Sequence, residues 1–214
     1  MRIVCISDTH NCNGHVAVPD GDLLIHSGDA AVAGTADEIR SFSAWFSELP
    51  HKHKIFVAGN HDRIFESDNT LARQLLGPNI IYLQDSSTMI DGLKIYGSPW
   101  QPRFFDWAFN LSRGPEMAAK WSAIPDDVDV LITHGPLNGI LDAVPQRKGV
   151  DHAGCEELRK RVETIAARGK LKLHTFGHIH CGSGVQEAFG MTFINSSVCD
   201  EEYRPVQPPR IFDL

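Results

Sequence analysis

The sequence predicts an α/β protein, a layered α/β/β/α sandwich with mixed β-sheets. Three features of the chain lead there. Short, nearly continuous apolar runs recur, as expected for strands covered on both faces. Amphipathic helical patterns lie between them. Two later stretches read as hairpins, which add antiparallel strands to the sheets.

The elements follow in chain order. "RIVCIS" opens as a buried strand, and "DLLIHSGD" repeats the pattern before a polar exit. "TADEIRSFSAWFSELP" starts with Thr35 as N-cap and Glu38 three residues on, a capping box, and places Ile39, Phe42, Trp45, Phe46 and Leu49 on one face. "KIFVAGNHD" and "DVLITHGP" are further strands that end in polar clusters. "TMIDGLKIYGSP" sets Asp91-Gly92 between apolar runs, the usual mark of a tight hairpin. "CEELRKRVETIAARG" is a second amphipathic helix, stopped at Gly169. "LKLHTFGHIH" is a strand, "GVQEAFGMTFINSS" a second hairpin, and the proline-rich "RPVQPPRIFDL" an extended closing segment.

A chain of 214 residues, 42% hydrophobic and 22% charged, is long enough for one well-filled core and short for two, so a single domain over 1–214 is expected. It contains no apolar run of the ~18 residues needed to span a bilayer, and the polarity after "IVCI" arrives too early for a secretory leader. The net charge of −7 argues against a sequence-independent grip on nucleic-acid backbone. Cys5, Cys12, Cys155, Cys181 and Cys199 are odd in number and form no CxxC pair, so neither a disulfide framework nor a zinc ribbon is suggested. A cytoplasmic protein with no membrane partner is the expectation.

Chemistry gathers where strands end. Asp8 and His10 follow the first strand, Asp29 the second, and Asn60, His61 and Asp62 the third; His134, then His178 and His180, follow later ones. In open α/β sheets the carboxyl ends of strands form the ligand crevice, so these groups should converge. Carboxylate, imidazole and amide oxygen suit Mn²⁺, Fe²⁺ or Zn²⁺, and the lack of a thiolate cluster argues against a closed zinc site. The donors are too many for one ion. A central Asp29 could bridge two, about 3.5–4 Å apart, the arrangement used in phosphoryl displacement.

Each motif alone has an ordinary explanation: Asp-x-His as a helix cap, "SGD" as a turn, "GNHD" as a loop, "GHIH" as a hairpin start. Their conjunction outweighs these. The ordered set "DTH", Gly28-Asp29, "GNHD" at 59–62, "THGP" around His134 and "GHIH" at 177–180 resembles the calcineurin-like metallophosphoesterase superfamily. "DGLKIYGSPWQP", "FNLSRG", "ITHGPLNGILDAVP" and "FINSSVCDEEYRPVQPP" resemble more narrowly the metallophosphoesterase-domain-containing branch, whose members are reported as cyclic-nucleotide phosphodiesterases.

The resemblance implies that Asp8, His10 and His180 hold one metal, Asp29 bridges, and Asn60, His134 and His178 hold the other. It implies two divalent ions, Mn²⁺ first, with Fe²⁺ or Zn²⁺ as alternatives. His61 would face substrate without binding metal, oriented by Asp62. One known departure in the branch replaces the first histidine of the last motif; here His178 is present, which implies an active enzyme.

The expected activity is hydrolysis of small phosphodiesters, cyclic nucleotides among them, by a metal-bridging hydroxide with His61 as acid. A phosphomonoesterase or nuclease on the same centre is the alternative, and a non-catalytic interaction scaffold the rival from another class. His26 is expected as a hydrogen-bonded core histidine, and His51 and His53 on a solvated loop. The aromatic stretch 98–114 reads mainly as a satellite cluster, with one or two residues lining the cleft and Arg103 and Arg113 within reach of a phosphate.

Overall fold

The computed structural model describes all 214 residues. In chain order the elements are β1 (Arg2–Ile6), β2 (Leu23–His26), α1 (Ala36–Glu48), β3 (His53–Phe56), α2 (Ile64–Ser67), α3 (Asn69–Leu75) and β4 (Ile80–Tyr82). There follow β5 (Ser86–Ile90), β6 (Leu93–Ser98), β7 (Gln101–Pro102), β8 (Asn110–Leu111), α4 (Pro115–Trp121) and β9 (Val130–Thr133). The chain ends with β10 (Ala143–Pro145), β11 (Val150–His152), α5 (Glu156–Ala166), β12 (Leu173–Phe176), β13 (Gly184–Ala188), β14 (Met191–Asn195) and β15 (Arg210–Asp213).

Two mixed sheets stack. One has the order β15-β1-β2-β3-β4, the other β13-β14-β12-β9-β6-β5. The strands β1, β2, β3 and β4 run parallel, as do β6, β9, β12 and β14, while β15, β13 and β5 add antiparallel edges. The closing tail therefore pairs with the first strand.

Side-chain alternation makes the layers. Val4, Ile6, Leu24 and Phe56 point outward against Ile39, Phe42 and Phe46 of α1. Ile3, Cys5, Leu23, Ile25 and Ile55 point inward and meet Ile95, Val130, Ile132, Leu173 and Ile194 of the second sheet. On the far side Leu131, Phe176 and Phe193 pack under Met117 and Trp121 of α4 and Leu158, Val162 and Ile165 of α5. Both faces of each sheet are thus covered, the α/β/β/α order the apolar runs require. Each such side chain, fully buried, contributes roughly 1.5–3 kcal/mol from water exclusion.

The local devices match the sequence. Thr35 Oγ1 accepts from Glu38 N at 3.3 Å and Glu38 Oε2 accepts from Thr35 N at 2.8 Å, closing the capping box. Glu38 also takes Asn11 Nδ2 at 2.7 Å, so the helix start is tied to the loop after β1. Asp91 and Gly92 sit at φ 46° and 87°, the paired positive values of a type I′ hairpin turn.

One expectation fails here. His51 is not on a solvated loop: it is buried, with Nε2 bonded to the Pro19 carbonyl at 3.0 Å, because the segment before β3 is covered by the residues preceding β2. His53 is half-buried as the first residue of β3. No helix is long and apolar enough to cross a membrane.

Candidate metal centre

The parallel strands β1, β2, β3, β9 and β12 deliver their exit loops to one end, and those loops are laced together. Asp8 N donates to Gly28 O (2.9 Å), His10 N to Asp29 O (3.1 Å) and Asn11 N to Ala30 O (3.1 Å), which zips the β1 exit to the β2 exit. Gly177 N donates to His134 O at 2.8 Å, joining the exits of β9 and β12. Across the two sheets Ser197 Oγ donates to Asp8 Oδ2 at 2.6 Å.

This lacing holds an unusual backbone. Asp8 (φ 55°), His10 (39°), Asp29 (56°) and His178 (69°) all occupy the left-handed region. Each such residue costs on the order of 1–3 kcal/mol and persists only where its surroundings over-determine it. Four strained residues in one cluster, all with donor side chains, mark a place built for chemistry.

The motif glycines are required by space. A Cβ at Gly59 would overlap the Asp29 carboxylate, one at Gly28 would meet His134, and one at Gly177 would overlap Ser7 Oγ and the Asp8 carboxylate. Gly177→Ala should therefore push Asp8 aside, costing the ~1–3 kcal/mol typical of an overpacked site. A melting curve should show that loss and metal analysis a fall in bound metal; unchanged metal content would show that Asp8 has room to give.

Imidazole orientation decides what the cluster can hold. Nδ1 of His10 faces Ala31 O (3.2 Å), that of His134 faces Ser27 O (3.0 Å), that of His180 faces Asp200 O (2.8 Å) and that of His61 faces Val32 O (2.6 Å). A carbonyl only accepts, so each Nδ1 carries the proton, and in the neutral ring Nε2 presents a bare lone pair to the centre. His10 Nε2 and His180 Nε2 lie 3.3 Å apart, and His134 Nε2 lies 2.9 Å from Asn60 Oδ1. Asp29 Oδ2 stands 3.8 Å from His10 Nε2 and 3.4 Å from His134 Nε2. Lone pairs crowded in this way repel unless a proton or a metal cation lies among them.

The donors sort into two groups. Asp8, His10 and His180 offer atoms within 4.8 Å of one another, as do Asp29, His134 and His178, and a third set joins His10, Asp29 and His61. Asp29 stands between the two outer groups. Backbone carbonyls on the far nitrogens fix ring orientation and raise ligand basicity, the usual second support of a metal-binding histidine. The residues present therefore fit two divalent ions.

Electrostatics agree. Burial works to raise Asp8 and Asp29, but the imidazoles of His180 and His134 reverse it and hold both carboxyls well below the ordinary range. Burial likewise opposes charge on His134 and His180, yet the carboxylates bring both to about 9. Protons and a divalent cation compete for the same nitrogens, so metal uptake releases protons.

The structure brings Asp8, His10, Asp29, Asn60, His61, His134, His178 and His180 together and departs from expectation at Asp62. Its carboxylate does not orient the His61 ring; it accepts from Gly59 N (2.8 Å), Ala31 N (3.0 Å) and Ala30 N (3.3 Å). Asp62 is fully buried, where three amide donors in reach satisfy it and the neighbouring imidazole turns to Val32 instead. It shapes the loop that carries Asp29 and the carbonyls under His10 and His61. His26 is the core histidine expected, its Nε2 on Thr9 Oγ1 at 3.0 Å and its Nδ1 accepting from Gly28 N at 3.2 Å.

A cleft of about 690 Å³ opens over the centre, lined by Asp29, Asn60, His61, His178 and His180 together with Arg103, Phe104, His152, Glu201 and Tyr203. Arg113 also reaches it but is committed to Glu156 and to the carbonyls of Gly154 and Ala153, so it is no free phosphate ligand. Arg103 makes no side-chain hydrogen bond or ion pair. Two contributors escaped the sequence: Tyr203, whose ring edge meets His10 at 4.5 Å between centroids, and Trp107, stacked on His61 at 4.0 Å. The clustering of aromatic residues at 98–114 hinted at Trp107; nothing in the chain order singled out Tyr203.

The family model described as calcineurin-like phosphoesterase matches residues 1–182. The chain is 42% identical over 235 residues to Metallophosphoesterase domain-containing protein 1 of Homo sapiens, and equally to that of Mus musculus, covering 100% of this chain and 71% of the relative. It is 40% identical over 232 residues to a UPF0046 protein of Caenorhabditis elegans, covering 100% of this chain and 81% of the relative.

Proposed function

We propose that this chain, which belongs to the calcineurin-like phosphoesterase family, spends its metal-dependent phosphoester hydrolysis on small phosphodiesters, with cyclic nucleotides the first class to test. The observation that carries the reading is Asp29, which shares a donor group with His134 and His178 and sets its Oδ2 3.4 Å from His134 Nε2 and 3.8 Å from His10 Nε2 of the other group. Asp8, His10 and His180 would hold one ion, Asn60, His134 and His178 the other, and Asp29 both. Two bound cations would supply a nucleophile from water near neutral pH and neutralise phosphoryl charge.

The chain's own groups do the rest. His61, with Nδ1–H committed to Val32, can deliver a proton from Nε2 to the leaving oxygen only as the imidazolium. Asp62 holds the loop that sets both Asp29 and the Val32 carbonyl. The cleft wall supports a diester over a monoester: Asp151, Glu156 and Glu201 line it, Arg113 is spent on Glu156, and Arg103 is its unpaired arginine. A diester brings one negative charge to that wall and a monoester brings two. Mn²⁺, Fe²⁺ and Zn²⁺ are the candidate metals for this set of carboxylate, amide and imidazole donors, with Mn²⁺ the first to test. All five cysteines are free thiols, which supports a reducing compartment such as the cytoplasm.

The test is a hydrolysis panel on metal-stripped protein restored separately with Mn²⁺, Fe²⁺, Zn²⁺ and Mg²⁺. Cyclic nucleotides, aryl diesters and matched monoesters are compared at equal metal loading. Restored diester turnover exceeding that of the monoester is expected. A monoester turned over faster than its matched diester would overturn the phosphodiesterase reading.

A further inference from the structure

His61 has no carboxylate partner, so its position rests on other contacts. One hydrogen bond, Nδ1 to Val32 O, fixes one atom of the ring and leaves the ring free to tilt about it. Two neighbours remove that freedom. The indole of Trp107 stacks on the imidazole at 4.0 Å between centroids and 28° between planes, and the His10 ring meets it edge-on at 4.7 Å and 80°. The guanidinium of Arg63 lies 4.3 Å over the indole centre. Trp107 thus packs against both the imidazole and the Arg63 guanidinium.

The indole is itself anchored. Asn110 Nδ2 donates to Trp107 O at 2.9 Å and Phe105 O at 3.0 Å, and Asn110 Oδ1 accepts from Phe104 N at 3.0 Å. Ala108 N donates to Asn60 O at 3.2 Å, tying the loop to the residue before His61. Arg103 and Phe104 of the same loop line the cleft, whereas Trp107 does not. A ring that stacks on the imidazole yet stays out of the cleft is placed to hold the histidine and not a substrate base.

We infer that Trp107 is a positioning residue for His61, a flat backing, capped by Arg63, that aims Nε2 at the leaving group where no carboxylate does so. This rests on the reading of His61 as the group facing substrate. The step it serves moves one proton from Nε2 to the departing alkoxide oxygen as the P–O bond breaks.

The experiment uses Trp107→Leu, Trp107→Phe, Arg63→Ala and His61→Asn with the double variant Trp107→Leu/His61→Asn, all loaded with Mn²⁺. Trp107→Leu should lower kcat on an alkyl or ribose diester by about 10–100-fold, the scale of losing a supporting partner. KM and metal per chain should stay near wild type, and an aryl diester with an acidic leaving group should lose much less. Trp107→Phe, which keeps a flat face, should recover most of the rate, and Arg63→Ala should show a weaker form of the same pattern even if Trp107→Leu folds poorly. In the His61→Asn background Trp107→Leu should add little, because the two groups act as a unit.

Losses that multiply in the double variant would overturn the inference, as would a rise in KM alone, which indicates substrate stacking, or a fall in metal content. A silent His61→Asn beside an active Trp107→Leu effect would strike down the reading of His61 as well, and is recognised by the single variant alone.

Discussion

Asp29→Asn should abolish paired metal binding while leaving the fold intact. Asn is nearly isosteric and can keep the acceptor that receives His61 N at 2.8 Å, so the β3 exit loop retains its tether. What it loses is the charge at Oδ2, the atom set toward both His10 and His134. An amide NH₂ in that place would donate to their bare nitrogens and occupy the lone pairs a metal needs. As the proposed shared ligand of both ions, Asp29 when replaced should cost more than the ~10–100-fold in affinity seen when only an outer partner is disturbed. Turnover should fall by orders of magnitude. The backbone contacts of the fold survive, but the metal-free protein loses the pairing of Asp29 with the His134 imidazolium, which costs some stability. Thermal melting should therefore show a cooperative transition for the metal-free variant, at or somewhat below that of metal-free wild type, with the Mn²⁺-induced rise in melting temperature missing. About two metals per chain with wild-type turnover in the variant would remove Asp29 from the bridging role.

The chain order reveals the donors more readily than what aims them. Each donor follows a buried strand, and buried strands are legible because their apolar runs are short, continuous and closed by glycine or polar residues. The capping box at Thr35 and the turn at Asp91-Gly92 are equally local signals, and both formed. The supports were silent because they are backbone. Ala31, Val32, Ser27 and Asp200 hold four imidazoles through carbonyls, and a carbonyl has no residue type to read. Proximity in the chain suggested Asp62 for His61, yet the fold spends that carboxylate on three amides from two loops, a choice only the tertiary arrangement makes. The hairpin β10–β11 carries no readable pattern, since its strands are three residues each and nearly all of their side chains are exposed. Short α4 was signalled only by Pro115 at its first turn, after a glycine at φ 85°.

His61→Asn should separate proton donation from metal binding. His61 is nine-tenths buried or more, with Nδ1 turned away to Val32 and Nε2 toward the centre, and it sits beside the two outer donor groups without being needed to complete either. A general acid matters in proportion to how badly the leaving group needs a proton, and is typically worth ~10²–10⁴-fold. The variant should therefore lose activity in that range on alkyl or ribose diesters, whose alkoxides leave poorly. It should lose far less on aryl diesters, whose phenolates leave unaided. Metal per chain should stay near normal, because Asp29, which His61 N supports, is reached through the backbone and that contact survives the substitution. A ligand role predicts otherwise: metal would fall, and both substrates would fall with it. Equal losses on both substrates at unchanged metal content would point to a charged imidazole stabilising the phosphoryl transition state in general, and would tell against the leaving-group role. The geometry sets the expected order of effects. The Val32 carbonyl fixes the proton on Nδ1, so any proton delivered must be the second one, and an Asn side chain carries no such proton however well it fills the space.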